Sequence, residues 1–147
     1  LANPKKLERE VLGAITYQEN DAVLHTDTSL LPKNRRAWAA WNYHRLEREQ
    51  DQVAMTYNMN ILQNFSCETQ FCVTLNNTSA VDPSKIIARM TYEHPVYTPE
   101  SVAAQGRQKE INGQDHIYFC GAYWRYGFHE DGVVSAMSAL DDFYKRK

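Results

Sequence analysis

The first residues of the chain carry the pattern of an amphipathic helix. Asn3-Pro4 combines an N-cap residue with a proline, a pair favoured at helix starts. Leu7, Val11 and Leu12 then recur at helical spacing, and Gly13 is typical of the residue that ends a helix. The pattern therefore predicts a short helix with one apolar side that ends near Gly13.

A series of short apolar and aromatic runs follows, and their composition favours β-strands. The predicted strands cover residues 14–17, 22–25, 37–43, 53–57, 71–75 and 86–92. Turn residues separate these strands, for example in Leu31-Pro32-Lys33-Asn34 and Asn76-Asn77. Short helical segments are predicted at 58–64 and at Asp82-Pro83, and a further helix from Thr98-Pro99 to about Gly106.

The end of the chain predicts one strand followed by one helix. Residues 117–120 form a continuous apolar run, which is typical of a strand buried on both faces. In the predicted helix 132–144, one face carries the side chains of Val133, Met137, Leu140 and Tyr144. The predicted class is α+β, with a mostly antiparallel sheet and this strand–helix pair at the end.

Length, composition and charge narrow the class of protein. The 147 residues suggest one domain, and 43% hydrophobic residues are enough for a core. A formal net charge of −2 argues against a dedicated nucleic-acid or anionic-membrane binder. No apolar run is long enough to span a membrane, and the sequence predicts no secretory signal. Three cysteines favour free thiols in the cytoplasm over a disulfide framework.

The most specific chemistry lies in the loop between the predicted strand and helix. Gly121 ends the apolar run, and Asp131 is the predicted N-cap of the helix. We expect the N–H groups of residues 132–134 to be partly free and to face a ligand. Because Glu130 and Asp131 would repel phosphate, a neutral carbonyl such as that of a flavin ring suits this helix end better.

Other interpretations of the same residues stay open. The aromatic residues of the loop are also what an ordinary hydrophobic core needs. His129-Glu130-Asp131 could suggest a metal site, but adjacent residues of an extended segment point to opposite sides, and no metal is predicted. A nucleophilic pair of Cys120 and His129 is conceivable, although a thiol at the end of a buried strand is more often inert.

Several separated motifs resemble a known superfamily. The segment 117–136 resembles the C-terminal flavin-binding motif of the flavin-containing amine oxidase superfamily, and in particular its bacterial predicted NAD/FAD-binding oxidoreductases. The other motifs that resemble this group follow in the same order as in the group and cover nearly all of the chain: Leu12-Gly13-Ala14-Ile15, Ala22-Val23-Leu24-His25-Thr26-Asp27, Ala37-Trp38-Ala39-Ala40-Trp41-Asn42-Tyr43, Thr56-Tyr57-Asn58-Met59-Asn60, Val73-Thr74-Leu75-Asn76 and Glu93-His94-Pro95-Val96-Tyr97.

The resemblance implies a division of the chain into parts. Residues 1–97 would belong largely to a substrate-binding part, and residues 117–147 would supply the last strand and helix of a Rossmann-like FAD-binding part. Gly121 and Ala122 would lie near the ribityl and pyrophosphate region of FAD, and Gly132 and Val133 would face its pyrimidine carbonyl. The loop beside the flavin ring would consist of Tyr126, Gly127, Phe128, His129, Glu130 and Asp131. Candidate aromatic residues of the substrate pocket are Trp41, Tyr43, Tyr57 and Tyr123.

Two departures from the superfamily pattern matter. Ala122 stands where an acidic residue usually follows the strand-ending glycine. The dinucleotide fingerprint Gly-x-Gly-x-x-Gly is absent, because none of the six glycines has that spacing. Together with a first residue that is not methionine, this predicts a C-terminal piece of a longer oxidoreductase, lacking the N-terminal dinucleotide-binding half.

We therefore expect this chain to supply the substrate-facing sheet and one wall of a flavin site in an oxidoreductase that acts on a small molecule. Alone, it should bind FAD weakly or not at all, should be inactive, and should tend to self-associate through exposed apolar surface. The sequence identifies no catalytic residue. The alternative is a self-standing binding or interaction module without chemistry.

Overall fold

A computed structural model of the chain describes residues 1–47 and 52–145. These residues divide into two compact units. The helical unit comprises Leu1–Gln18 and His94–Lys147, and the sheet unit comprises Glu19–Glu93. The first helix, which the prediction assigned to the substrate-binding part, thus belongs to the same unit as the C-terminal helix.

The described residues form an α+β fold, as predicted. The α-helices are α1 (Lys6–Gly13), α2 (Met59–Leu62), α3 (Pro99–Gln105), α4 (Gln108–Ile111) and α5 (His129–Lys145). The strands are β1 (Tyr17–His25), β2 (Trp41–Tyr43), β3 (Met55–Asn58), β4 (Cys72–Leu75) and β5 (Ile86–Pro95). Together, the strands make one antiparallel sheet in the order β2-β3-β4-β1-β5.

Local capping explains why several elements begin where they do. The Asn58 side chain accepts a hydrogen bond from the N–H of Ile61 at the start of α2. Thr98 caps α3 in the same way, and Pro99 occupies its first turn. The carboxylate of Asp82 accepts from the N–H of Ser84 in a short 3-10 turn. These starts confirm the predictions from local sequence.

The register of the sheet separates its side chains into two faces. Trp41 pairs with Tyr57, and Thr56 pairs with Thr74, so the aromatic and the threonine side chains lie on opposite faces. The aromatic sheet face carries Trp41, Tyr43, Met55, Tyr57, Val73 and Leu75. The buried sheet face carries Val23, His25, Asn42, Thr56, Asn58, Cys72 and Thr74.

The helical unit has a small apolar core. Its buried members are Val11, Ile15, Ala104, Ile111 and Trp124. Leu7 and Leu12 pack against this cluster, so the apolar side predicted for α1 is confirmed. The core thus joins α1, α3, α4 and the segment before α5.

The predicted strand 117–120 is wrong. Ile117 forms only an isolated bridge with Gln114, and Ile117 and Cys120 are exposed instead of buried. Side chains take the place of a neighbouring strand: Phe119 N–H donates to Asn112 Oδ1 at 2.9 Å, and Gln108 Nε2 donates to Phe119 O at 2.8 Å. Because side chains form hydrogen bonds with the backbone N–H and carbonyl of Phe119, this residue does not need a neighbouring strand.

Helix α5 also differs from its prediction. It begins at His129, three residues before the expected start, and its buried residues are Asp131, Ser135 and Ala139. The four apolar side chains that share the opposite face are exposed. Within the part of the chain that the structure describes, no helix has the length and apolar character needed to cross a membrane.

Candidate functional site

Residues 121–128 form a tight aromatic loop before α5. A Cβ atom at Gly121 would collide with the ring of Tyr123. Gly127 has a φ of 88°, and a Cβ there would lie 2.6 Å from the hydroxyl of Tyr97. Glycine is therefore needed at both positions, at Gly121 for the close approach of Tyr123 and at Gly127 for the close approach of Tyr97.

Asp131 organises the junction between this loop and α5. Its Oδ2 accepts hydrogen bonds from the N–H groups of Phe128 at 3.0 Å and Tyr126 at 3.2 Å. Arg125 Nε lies 3.5 Å from the other carboxylate oxygen. Because α5 begins at His129, Asp131 is its third residue and reaches back to the residue before the helix, as in a capping box. The predicted N-cap role is thus wrong in position, although the same side chain caps the helix.

This geometry changes which N–H groups a ligand could meet. Gly132 N–H donates to Phe128 O at 3.2 Å as the first bond of the helix. Gly132 and Val133 therefore lie inside α5, and the expectation that their N–H groups are free is wrong. The N–H groups with no carbonyl partner four residues earlier in the helix are those of His129, Glu130 and Asp131.

The aromatic side chains of the loop have different environments. Trp124 is buried in the core of the helical unit, and its Nε1 has no hydrogen-bond partner among the described residues. Tyr123 packs beside Trp124, with ring centroids 5.2 Å apart, and burial raises its pKa. Tyr126 and Phe128 are exposed, as are His129 and Glu130. Only part of the predicted aromatic wall is therefore open to a ligand.

Two glutamines that the sequence analysis did not single out shape this loop. Gln105 Nε2 donates to the carbonyl oxygens of Tyr123 and Arg125, at 2.9 and 2.5 Å. Ser135 Oγ accepts hydrogen bonds from Gln108 Nε2 at 3.2 Å and from Gly121 N–H at 3.1 Å. Helices α3, α4 and α5 thus hold the start and the middle of the loop through side-chain amides and one hydroxyl.

The sheet brings together two of the four predicted substrate-pocket residues. Trp41 and Tyr57 pair across β2 and β3, with ring centroids 5.7 Å apart and planes at 80°. Tyr43 lies on the same face and is exposed, whereas Tyr57 is half-buried and burial raises its pKa. Tyr123 belongs to the helical unit.

The buried sheet face contains a continuous chain of polar side chains. His25 Nε2 lies 2.8 Å from Thr74 Oγ1, which lies 2.7 Å from Thr56 Oγ1. Thr56 Oγ1 lies 2.7 Å from His44 Nε2. Because His25 Nδ1 accepts a hydrogen bond from a backbone N–H, neutral His25 carries its proton on Nε2 and donates to Thr74. Thr74 can then donate to Thr56, and Thr56 can donate to His44 Nε2, which accepts. In this arrangement, both hydroxyl groups and the Nε2–H of His25 each donate one hydrogen bond.

The environment of these hydrogen-bonded side chains favours the neutral form of both histidines, His25 and His44. Burial lowers the pKa of both His25 and His44, and for His25 the nearby carboxylate of Asp27 opposes this shift. Burial and the same carboxylate raise the pKa of Cys72 to about 11. The buried sheet face is thus uncharged at neutral pH, apart from Asp27 at its edge.

Asp27 is buried, yet its carboxylate is well supplied with donors. It accepts from the N–H of Ser29 at 3.1 Å and of Asp82 at 2.9 Å, and Lys85 Nζ lies 3.2 Å away. Burial alone would raise its pKa, but these hydrogen bonds outweigh burial and hold the pKa well below its usual range. Its own N–H donates to His25 Nδ1 at 3.0 Å, so Asp27 also fixes the tautomer of that ring.

The sequence contains a pattern that points to this row of hydrogen-bonded side chains. In Thr56-Tyr57 and Val73-Thr74, polar and bulky residues alternate, so each threonine must face away from the neighbouring aromatic or branched side chain. What alternation alone does not reveal is that the threonine face is the buried one.

Comparisons with known proteins do not identify a family. No protein-family model matches the chain, and a search of curated proteins found no significant match. Among the described residues, no group of three or more histidine, cysteine, aspartate or glutamate side chains could hold a metal ion.

Proposed function

We propose that this chain is the C-terminal portion of an FAD-dependent oxidoreductase of the amine oxidase type. The observation that carries the proposal is the series of separated motifs that resemble the superfamily in the same order along nearly the whole chain. On this proposal, the chain works with a dinucleotide-binding half that carries the absent glycine fingerprint. It then contributes one wall of the flavin site and the substrate-facing sheet, and is inactive alone.

The loop and the start of α5 are compatible with a flavin carbonyl. Asp131 uses its carboxylate on the N–H groups of Tyr126 and Phe128, which offsets the charge that would otherwise face an electron-rich ligand. The positive end of the helix dipole and the N–H groups of His129 and Glu130 are then the donors for a neutral oxygen. This differs from the family-based expectation, which named Gly132 and Val133.

The remaining roles follow from the same proposal. Gly121 and Ala122 would hold the ribityl–pyrophosphate region, and the exposed rings of Tyr126 and Phe128 would lie beside the isoalloxazine. When bound, FAD supplies the group that accepts a hydride, while the chain binds and orients. Trp41, Tyr43 and Tyr57 would present an aromatic surface to a small organic substrate such as an amine, and no residue is assigned as a catalytic base.

The first test uses the longer protein with the dinucleotide-binding half attached. We expect purified protein to carry FAD, seen as a flavin absorption band. A Cβ at Gly132 would lie 4.0 Å from the Cβ and N of Ala122, so Gly132→Ala fits, whereas Gly132→Leu displaces the loop. Gly132→Leu should therefore lose most of the flavin.

The matched control is Gly13→Leu, because a Cβ at Gly13 meets no atom within 4 Å. Gly13→Leu should keep its flavin. Full flavin content in Gly132→Leu contradicts the assignment of the loop, and a longer protein that never contains or binds FAD contradicts the proposed function.

A self-standing binding module remains the second candidate, and the absence of the glycine fingerprint favours it. A flavin titration of this chain in the presence of the separately produced dinucleotide-binding half separates the two. Quenching of flavin fluorescence only when both parts are present supports the oxidoreductase, and no quenching with either or both supports the module.

A further inference from the structure

We propose that the exposed apolar face of α5 is an interface with a second copy of this chain, paired antiparallel about a twofold axis. The interface, here named the α5 stripe, consists of Val133, Met137, Leu140 and Tyr144. The proposal concerns the chain by itself and is argued from the geometry and charge of α5, without use of the flavin assignment.

The α5 stripe has the spacing of a helix–helix seam. Its members are separated by four, three and four residues, which is the spacing of the apolar positions of a coiled coil. All four side chains are more than half exposed, from 54% for Leu140 to 66% for Tyr144. An apolar row of this length on one helix face is ordinarily covered by another element.

The opposite face of α5 is already fixed. Ser135 accepts two hydrogen bonds, Asp131 caps the start of the helix, and Asn112 Nδ2 donates to Asp142 Oδ2 at 3.1 Å. Residues 131, 135 and 139 are buried, about 170° around the helix from the stripe. The helix therefore has no freedom to turn its apolar face inward without breaking these contacts, and the stripe is presented preorganised to a partner.

The charges of α5 select a second copy and an antiparallel orientation. Glu130 lies in the first turn and Lys145 in the last, and both are exposed. About an axis between Ser138 and Ala139, antiparallel pairing sets Val133 against the Tyr144 of the other copy and Met137 against its Leu140. It also brings each Glu130 close to the other copy's Lys145 and opposes the two helix dipoles. Parallel pairing would instead set like charges together.

The test is sedimentation equilibrium of the purified chain over a range of concentrations. We expect a monomer–dimer equilibrium, and we expect Leu140→Asp to weaken dimerisation by at least about tenfold, because the aspartate would be buried against an apolar neighbour. Val102→Asp is the matched control, since Val102 is also 54% exposed but lies on α3. It should leave dimerisation unchanged, and circular dichroism verifies that both variants are folded.

Charge reversal tests the orientation. Glu130→Lys and Lys145→Glu should each weaken the dimer, because each places like charges together in the antiparallel pair. The double variant should restore association, and so should mixing the two single variants. A chain that stays monomeric at all concentrations, or a dimer that Leu140→Asp and Val102→Asp affect equally, overturns the proposal. Single reversals without effect overturn the antiparallel pairing.

Discussion

The sheet unit and helix α5 both reverse the usual distribution of polarity, but by different means. On the sheet, Thr56 and Thr74 are buried while Trp41 is half-exposed. On α5, Ser135 is buried while Met137 is exposed. In the sheet, the side chains of His25, Thr74, Thr56 and His44 form hydrogen bonds to one another in a continuous row. On α5, the side chains of the stripe are more than half exposed, and we propose that a second copy covers them. The buried sheet face is therefore satisfied within its own unit, whereas the stripe is covered only in the dimer.

This difference has a thermodynamic meaning. A buried hydrogen bond contributes only about 0.5–1.5 kcal/mol net, whereas removing one partner leaves the other unsatisfied at a cost of about 1–3 kcal/mol. Exposed apolar side chains cost the isolated chain little, and they gain free energy only when a second surface covers them. Substitutions in the two regions should therefore differ sharply in their effect on unfolding.

The largest effect is expected at Asp27. Asp27→Ala removes a buried carboxylate that accepts hydrogen bonds from two backbone N–H groups. Because each hydrogen bond to a charged group contributes about 1.5–3 kcal/mol, the free energy of unfolding should fall by about 3–5 kcal/mol in urea denaturation. Glu10→Ala is the control, because Glu10 forms an exposed ion pair with Arg107 and should change stability little. Similar losses of stability for Asp27→Ala and Glu10→Ala would show that the buried and the exposed carboxylate contribute equally.

A smaller loss is expected at Thr74. Thr74→Val leaves His25 Nε2 without its acceptor and should lower the free energy of unfolding by about 1–3 kcal/mol. Adding Thr56→Val should cost less than the sum of the two single changes, because both hydroxyls belong to one chain. Thr69→Val, at an exposed position, is the control. If the loss in the double variant equals the sum of the two single losses, the two hydroxyls contribute independently.

The pH dependence of stability should follow from His25 and His44, the two histidines of the hydrogen-bonded row on the buried sheet face. Because their pKa values are lowered on folding, the unfolded chain binds more protons below about pH 6.5. Stability is therefore complete above that pH and falls as the pH drops from it toward the folded pKa values. Asp27, whose pKa is lowered, stays charged through this range, and Cys72 stays neutral.

The measurement is the free energy of unfolding at pH 7 and at pH 5. His44→Gln keeps an acceptor for Thr56 without titrating and should reduce the loss between these two values. His116→Asn, at an exposed position with a φ of 63°, should keep the full loss. Equal pH dependence in wild type and His44→Gln would show that this histidine does not contribute.

The smallest effect is expected on the α5 stripe. At concentrations low enough for a monomer, Met137→Gln should change the free energy of unfolding by no more than about 0.5 kcal/mol, because Met137 is 61% exposed. Ile111→Val, in the buried core of the same unit, should cost about 0.5–1.5 kcal/mol. A larger loss for Met137→Gln than for Ile111→Val would show that the stripe is packed within its own chain.

Local sequence predicted much of the fold. The caps at Asn58, Asp82 and Thr98, together with the strands near 22–25, 53–57, 71–75 and 86–92, agree with the structure to within a few residues. Each of these elements depends on neighbours in the sequence, whether a capping side chain, a proline or an alternating pattern. The predicted extensions at 14–16 and 37–40 do not form strands.

The candidate site was less predictable because its contacts come from distant residues. The sequence located the aromatic loop and the two acidic residues at the start of α5. However, Asp131 caps the helix from its third position, so Gly132 is not at the exposed end. Gln105 and Gln108, which tether the loop, carry no local pattern that would mark them. Their role depends on how α3 and α4 pack against residues far along the chain.

By itself, the sequence determined the class of fold, the position of several capped elements and strands, and the period-two alternation that sets Thr56 and Tyr57 on opposite faces of β3. Periodicity fixes which side chains share a face, because backbone geometry sets that spacing. Only the tertiary structure decided which face is buried, since that depends on the packing and hydrogen bonding of the whole unit. In β3 and β4 it buried the threonines, and in α5 it buried Ser135 and left the apolar stripe outside.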